Sequence, residues 1–376
     1  MNTFILIALF VTGVYAITLL LFAIVWLSKS SFRSSVKKPS TAISIVIAAR
    51  NEEKNIAACL QRISIQNYPA HLAEIIVVND HSDDETVFEA EKGFVGCPFK
   101  HSILSLSEHD GQGKKTALSL GIKTGSGTLI ITTDADCLPG NVDWLNTVVS
   151  FYESTKSALI ISPVSIIHEP GFLSAFQEME LMGLGITTAG TALAGKAVMC
   201  NGANLAFERE AFFNVNGYQG NEAIASGDDV FLLNKMQHSF PRRVQYLKSK
   251  KALVVSTASG NFSAFVHQRL RWGGKFSSNR NGFNFFLGST VLAENSLFVV
   301  FASLSCFFPQ LAKYFALMVL TKWFIDFLLV FLAALFLKQT RVLWWYPLAM
   351  LINPLYICFT AVLSLMLKPR WKGRKI

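Results

Sequence analysis

Asp134 and Asp136 stand two residues apart, directly after the apolar run 128–133. Two carboxylates at i and i+2 at the end of a strand can share a turn and both face one cation. Hard oxygen ligands of this kind suit Mg2+ or Mn2+, with substrate phosphates and water completing the shell. A lone Asp-x-Asp is more often a solvated turn, so its weight depends on company. Asn51 and Glu52 follow the apolar run 43–49, and Asp80 closes the run 74–79. No glycine-rich Walker loop with its Lys and Ser/Thr occurs, which argues against a P-loop nucleotidase.

The elements that must position these side chains read as alternating strands and helices. The runs 43–49, 74–79, 102–106 and 128–133 have strand length, and helix-like stretches at 55–66 and 114–124 separate them. Continuous apolar strands alternating with helices predict an α/β fold with a mainly parallel sheet covered on both faces. Ligands of open α/β sheets bind at the carboxyl ends of the strands, so three polar strand ends should converge on one crevice. Beyond 141 the pattern loosens, with candidate strands at 159–164 and 253–256 and helices at 172–182 and 229–236.

The chain has 376 residues, 51% of them hydrophobic, and the excess is unevenly placed. Residues 3–27 are apolar without a charge, long enough for a spanning helix and too long for a cleaved signal. Further spans fit 288–308, 312–337 and 343–367. The domain plan is an anchor over 1–28, a basic linker over 29–40, a globular domain over 41–280, a membrane region over 281–367 and a basic tail over 368–376. The net charge of +9 is concentrated beside the apolar segments, as Lys29, Arg33, Lys37 and Lys38, and again as Lys368, Arg370, Lys372, Arg374 and Lys375. That placement suits a lipid bilayer with anionic headgroups and speaks against a nucleic-acid partner. Six cysteines without a CxxC pair read as reduced thiols.

The segments SIVIAARNEE (44–53), EIIVVNDHSDDET (74–86), GKKTAL (113–118) and Asp134-Ala135-Asp136, taken together, resemble family 2 glycosyltransferases. Gly202-Ala203-Asn204, Gly227-Asp228-Asp229 and Gln268-x-x-Arg271-Trp272 follow in the order of that family's second half, so the likeness covers about 41–275. The last motif is similar to that of the cellulose, chitin, hyaluronan and poly-N-acetylglucosamine synthase-like members. The resemblance implies a GT-A-like, Rossmann-like nucleotide-sugar domain with transmembrane helices at both ends. It also implies an inverting transfer of a hexose from a UDP-sugar. Asp80 then resembles the residue that holds the uracil base, Lys114 a basic residue of the nucleotide pocket, and Asn51 and Glu52 their donor-side neighbours. Asp134 and Asp136 resemble the donor- and metal-binding pair, with Mg2+ or Mn2+ as cofactor, and Asp229 resembles the general base. Arg271 resembles a diphosphate contact, and Asn204, Asp228, Gln268 and Trp272 resemble the acceptor end. Elementary chemistry agrees: a departing diphosphate needs its charge neutralised, and an acceptor hydroxyl needs a carboxylate to take its proton. Three positions depart from the family pattern: Ser226-Gly227 before the acidic pair, Asn79 before Asp80, and Ser119 after Ala117-Leu118.

Blander roles suit other residues. Asp83 and Asp84 read as turn or cap residues, His267 as structural, and Cys137 and Cys200 as packing. Lys322 and Asp326, four apart inside a span, read as a pair on one helix face, and with Glu294 they are either functional or structural. An anchor that brings the domain to the cytoplasmic face of a bacterial plasma membrane puts the C-terminus outside after three more spans. The basic tail then violates the positive-inside rule unless 288–308 is re-entrant. The acceptor is a glycan, in processive β-linked synthesis, or a lipid or polyprenyl phosphate in a single transfer. A silent subunit of an export complex is the rival from another class. With four spans and few intramembrane charges, long-polymer export calls for a homo-oligomer or an export subunit.

Overall fold

The computed structural model describes residues 2–34, 39–109, 111–220, 227–277, 282–367, 370–371 and 374–375. Lys37, Lys38, Ser226, Lys368 and Lys372 lie outside the described residues. Helix α1 (Asn2–Ser28) leads into the globular domain. There β1 (Ile43–Ala49), α2 (Ile56–Ser64), β2 (Ala73–Asn79), α3 (Thr86–Gly93), β3 (Lys100–Ser105), α4 (Lys114–Thr124) and β4 (Leu129–Thr132) follow in turn. Next come β5 (Cys137–Pro139), α5 (Trp144–Thr155), β6 (Leu159–Ile161), β7 (Val164–Ile166), α6 (Phe172–Leu193), β8 (Leu205–Glu208) and α7 (Arg209–Asn214). The domain closes with α8 (Asp228–Ser239), β9 (Val244–Tyr246), β10 (Val254–Ser256) and α9 (Phe262–Ser277). Three long helices complete the chain: α10 (Gly282–Phe307), α11 (Ala312–Leu337) and α12 (Tyr346–Met366).

The main sheet has seven strands in the order β3-β2-β1-β4-β8-β6-β9. The run β3-β2-β1-β4 is parallel, with Ile43 beside Ala73 on one side and beside Leu129 on the other. Strand β4 is buried throughout and β1 and β2 nearly so, which is why their sequences are continuous apolar runs rather than alternations. Strand β8 enters antiparallel between β4 and β6. It is short and follows a one-turn helix at Gly202–Asn204, so no periodicity marked it in the sequence. The single strand expected over 159–164 is two, β6 and β7, because Pro163 lacks the N–H a ladder needs. A second sheet, β5-β10-β7, lies beside the first. The helix expected over 172–182 runs on to Leu193, since its later residues bury against the membrane helices.

Among the described residues, four helical segments are long and apolar enough to cross a membrane: Asn2–Ser28, Gly282–Phe307, Pro309–Leu337 and Thr340–Ser364. Helices α1 and α11 run parallel: Ile5 shares a cluster with Met318, Tyr15 meets Asp326, and Trp26 meets Phe336. Helix α10 runs the other way, from Asn284, which donates to the Val198 carbonyl, to Phe301, which stacks on Phe4. Lys322 and Asp326 pair at 2.5 Å, Tyr15 donates to Asp326 at 2.5 Å, and Thr12 donates to Glu294 at 2.9 Å. Removing these ions from water is costly unless each finds such partners. These bonds tie α1, α10 and α11 together and the group reads as packing glue, although Glu294 Oε1 is buried without a hydrogen-bond partner among the described residues.

The domain is fastened to the anchor at two points. Lys248 donates to the carbonyls of Trp26 and Lys29, both at 2.6 Å, and so satisfies the C-terminal end of α1. Gly190 of α6 lets Phe22 of α1 approach so closely that an added Cβ would lie 2.6 Å from the Phe22 Cβ. Gly190→Ala should therefore lower the melting temperature of the purified protein, by an overpacking cost of about 1–3 kcal/mol. Gly183→Ala on the same helix, where an added Cβ meets nothing within 4 Å, should be neutral or slightly stabilising. Equal melting temperatures for the two variants would rule out the close contact.

Candidate active site

The crevice lies at the carboxyl ends of β1 and β4, between the main sheet and the N-terminus of α8, and measures about 370 Å3. The link from β4 to β5 is a turn, closed by the Cys137 N–H donating to the Asp134 carbonyl at 3.0 Å. Ala135 turns into the core, 2% exposed, while Asp134 and Asp136 are half-buried and line the crevice. A carboxylate oxygen of each lies within 4.8 Å of the other and of the Cys137 Sγ. Burial pushes the Asp136 carboxyl up to about 6, with the Asp134 and Glu52 charges adding to the effect. Burial also holds the Cys137 thiol well above its usual range, with Asp136 and Asp134 adding. It stays a neutral thiol, and the oxygen pair is the part suited to a hard divalent cation.

Lys114 opens α4, and its Nζ sits 2.5 Å from Asp134 Oδ1 and 3.9 Å from Asp228 Oδ2. Burial works against its charge, but Asp134 and Asp228 hold the ammonium well above its ordinary range. It is a fixed cation between two acidic pairs. Asp80, 1% exposed at the end of β2, accepts the Gly113 N–H on Oδ2 at 3.0 Å, which fixes the turn that delivers Lys114. Gly113 has φ of 108°, a conformation side chains disfavour.

Across the crevice, Gly227 at φ 84° starts α8, and Asp228 and Asp229 fill its first turn. The positive end of a helix favours carboxylates there. Asp229 accepts the N–H groups of Gly202 at 3.2 Å and Val230 at 2.8 Å. On α9, Gln268, Arg271 and Trp272 occupy one face at i, i+3 and i+4, and all three line the crevice.

Of the residues expected at the site, Glu52, Lys114, Asp134, Asp136, Asp228, Asp229, Gln268, Arg271 and Trp272 line this one crevice. Asn51, Asp80 and Asn204 do not. Asn51 accepts the Asp83 N–H at 2.9 Å and braces the neighbouring loop. Asn204 is 1% exposed, donates to the carbonyls of Pro163 and Ala252, and accepts from Trp144 Nε1 at 3.1 Å, which ties three segments behind the crevice floor. Asp84 caps the loop by accepting the Thr86 N–H, Asp83 pairs with Arg50 at 3.3 Å, and exposed His267 bonds to its own helix, at the Ser263 carbonyl.

Two arginines escaped sequence reasoning. Arg50 lines the crevice, and its Nη1 donates to the carbonyls of Asp80 (2.8 Å) and His81, locking two strand ends together. Arg269 is buried, pairs with Glu180 at 2.5 Å and stacks 4.1 Å from the Trp272 ring. Its place three before Trp272 on a helix was the available signal.

Residues 44–214 match the family described as glycosyl transferase family 2. Glycosyltransferase AglE of Haloferax volcanii is 32% identical over 133 residues, 35% of this chain and 42% of that protein. The poly-β-1,6-N-acetyl-D-glucosamine synthase of Staphylococcus epidermidis is 26% identical over 234 residues, 61% of this chain and 53% of that protein. The matches thus span about half the length of these relatives. A mannosyltransferase from Pyrobaculum calidifontis, solved with GDP-Man and Mn2+, superposes with a TM-score of 0.57 at 18% identity. The match covers 94% of this chain and 99% of that one, which establishes the shared GT-A fold.

Asp136→Asn should weaken Mn2+ binding at least about tenfold, given what loss of even a supporting group does to a metal site. Titration of the purified protein followed by Mn2+ electron paramagnetic resonance measures it, with Asp83→Asn as the unaffected control. Unchanged Mn2+ affinity in Asp136→Asn would remove the ligand assignment.

Proposed function

Because the chain carries a family 2 glycosyl transferase domain over residues 44–214, we propose that it is an inverting hexosyltransferase working at a membrane surface, with a UDP-sugar as donor. The observation that carries this reading is Lys114 standing between the two acidic pairs, 2.5 Å from Asp134 and 3.9 Å from Asp228. One pair is thereby assigned to the leaving diphosphate and the other to the attacking hydroxyl.

In this reading Asp134 and Asp136 would hold Mg2+ or Mn2+, which would supply positive charge to the departing diphosphate. Lys114 and Arg271 contact the same phosphates, and Glu52 lines the donor side. Asp229 takes the proton of the acceptor hydroxyl as its oxygen bonds to the anomeric carbon, and the bond from that carbon to the diphosphate oxygen breaks. Attack from the side opposite the leaving group inverts the configuration. Asp228, Gln268 and Trp272 shape the acceptor end, and the Trp272 ring offers a face to a sugar. Asp80, Asn51 and Asn204 act through the elements they brace: the Lys114 turn, the adjoining loop and the crevice floor.

The membrane helices bear on the product. The buried charges of the membrane helices among the described residues, Glu294, Lys322 and Asp326, bond to Thr12, Tyr15 and one another. Three such charges are few for the lining of a hydrated path, which favours short or lipid-linked products over a long polymer exported by one chain. Lys29 and Arg33 after α1 favour the cytoplasmic face for the domain. Labelling of a cysteine introduced at Glu108 should need permeabilised cells, and labelling of intact cells would reverse the topology.

Asp229→Asn should keep UDP-sugar affinity and lose transfer by about two to four orders of magnitude, the usual contribution of a general base. Donor affinity by calorimetry and UDP release by a coupled assay separate the two. If affinity falls along with the rate, Asp229 is a donor ligand and the role is wrong.

A further inference from the structure

A second cavity, about 180 Å3, adjoins the crevice on the side of the membrane helices. The two share Val164, Leu181, Asn201, Asp229 and Trp272 in their walls. Elsewhere its wall is Gly185 and Ile186 of α6, Trp26 in the last turn of α1, and Phe336 at the end of α11. Trp26 and Phe336 meet edge to face at 5.0 Å. The cavity therefore joins the candidate general base to the ends of two helices apolar enough to cross a bilayer.

We propose that this cavity seats the hydrocarbon chain of a lipid acceptor whose neutral hydroxyl is presented to Asp229. The inference rests on the glycosyltransferase reading above and adds the class of acceptor. Three observations on the cavity itself lead to it. Its wall is largely aliphatic and aromatic, a lining that suits a hydrocarbon chain better than water. Among the described residues Asp229 is the only charged one in the wall, so the ionisable group that a head at the end of such a chain meets there is the candidate base. Ser162 lines the cavity with a buried hydroxyl that has no hydrogen-bond partner among the described residues, a group that a ligand hydroxyl would satisfy. The chemistry agrees: a neutral alcohol needs a base to remove its proton, whereas a phosphate is already an anionic nucleophile.

Transfer to such an acceptor keeps the balance of the reaction. The lipid oxygen bonds to the anomeric carbon, its proton passes to Asp229, and the nucleoside diphosphate leaves with the electron pair of the broken bond.

Gly185 supplies a selective probe, since an added Cβ there meets nothing within 4 Å and a larger side chain grows into the cavity. The full chain in lipid nanodiscs is supplied with UDP-sugars and, separately, GDP-mannose, each with Mn2+. Dioleoylglycerol, a polyprenyl phosphate and a soluble β-linked oligosaccharide are offered as acceptors. The expected product is glycosylated diacylglycerol, with its formation falling at least about tenfold in Gly185→Leu while donor affinity is unchanged. A diazirine-bearing diacylglycerol should also label the Leu181–Ile186 stretch of the wild type and not of Gly185→Leu, a readout independent of turnover. Ser162→Ala should raise KM for the lipid with little change in kcat. Sugar appearing only on the oligosaccharide or only on the polyprenyl phosphate overturns the acceptor class and leaves the glycosyltransferase standing. So does a Gly185→Leu protein as active and as well labelled as the wild type. Failure of the wild type to bind any of the nucleotide sugars overturns the reading beneath it as well.

Discussion

Like charges must be gathered into one half-buried crevice, and the rest of the structure is arranged around that constraint. Glu52, Asp134, Asp136, Asp228 and Asp229 line it, against Arg50, Lys114 and Arg271 among the described residues. Two negative charges are left in excess, in surroundings where burial already disfavours the ionised form, as the Asp136 shift to about 6 records. A divalent cation would offset that excess, and the repulsion between the carboxylates favours its binding. Lys114 keeps the two acidic pairs at a fixed separation without belonging to either.

Holding such a cluster requires rigid supports, and these are mostly backbone. The parallel strands β1 and β4 fix Glu52 and Asp134 through their ladder, and Arg50 binds the end of β1 to that of β2 through carbonyl groups. Gly113 and Gly227, both at positive φ, let the chain turn sharply before Lys114 and before Asp228. Each helix thus begins at the crevice edge with its functional side chain in the first turn.

The membrane helices are part of the same construction. Helix α6 belongs to the catalytic domain, yet it packs on α1 through Gly190 and Phe22 and, two turns earlier, lines the cavity that reaches Asp229. Glu180 on this helix binds both Arg269 and Tyr356 of α12, so the stack that places Trp272 is anchored in the membrane region. The two halves of the chain share one site rather than merely adjoining.

Local signals carried much of this. The apolar runs of β1, β2 and β4 are buried on both faces and had to be parallel strands in a covered sheet, and the carboxylates that follow them had to share its edge. The four apolar segments declared themselves by length. The sequence could not tell which polar residues face the crevice. Asp80, Asn51 and Asn204 sit in motifs as conspicuous as Asp134's, but their side chains bond to other segments: Asp80 to the Gly113 N–H, Asn51 to the Asp83 N–H, and Asn204 to the carbonyls of Pro163 and Ala252. Nor could it show Arg50 as a clamp, β8 as an antiparallel intruder, or the apolar cavity, whose wall comes from α1, α6, α9 and α11. Those features arise from contacts between residues tens to hundreds apart, and periodicity within a window carries no information about them. Sequence by itself determined the kind of chemistry and the elements that bear it. Tertiary packing decided which groups meet, because only the closed fold brings Trp26, Gly185 and Asp229 into one cavity.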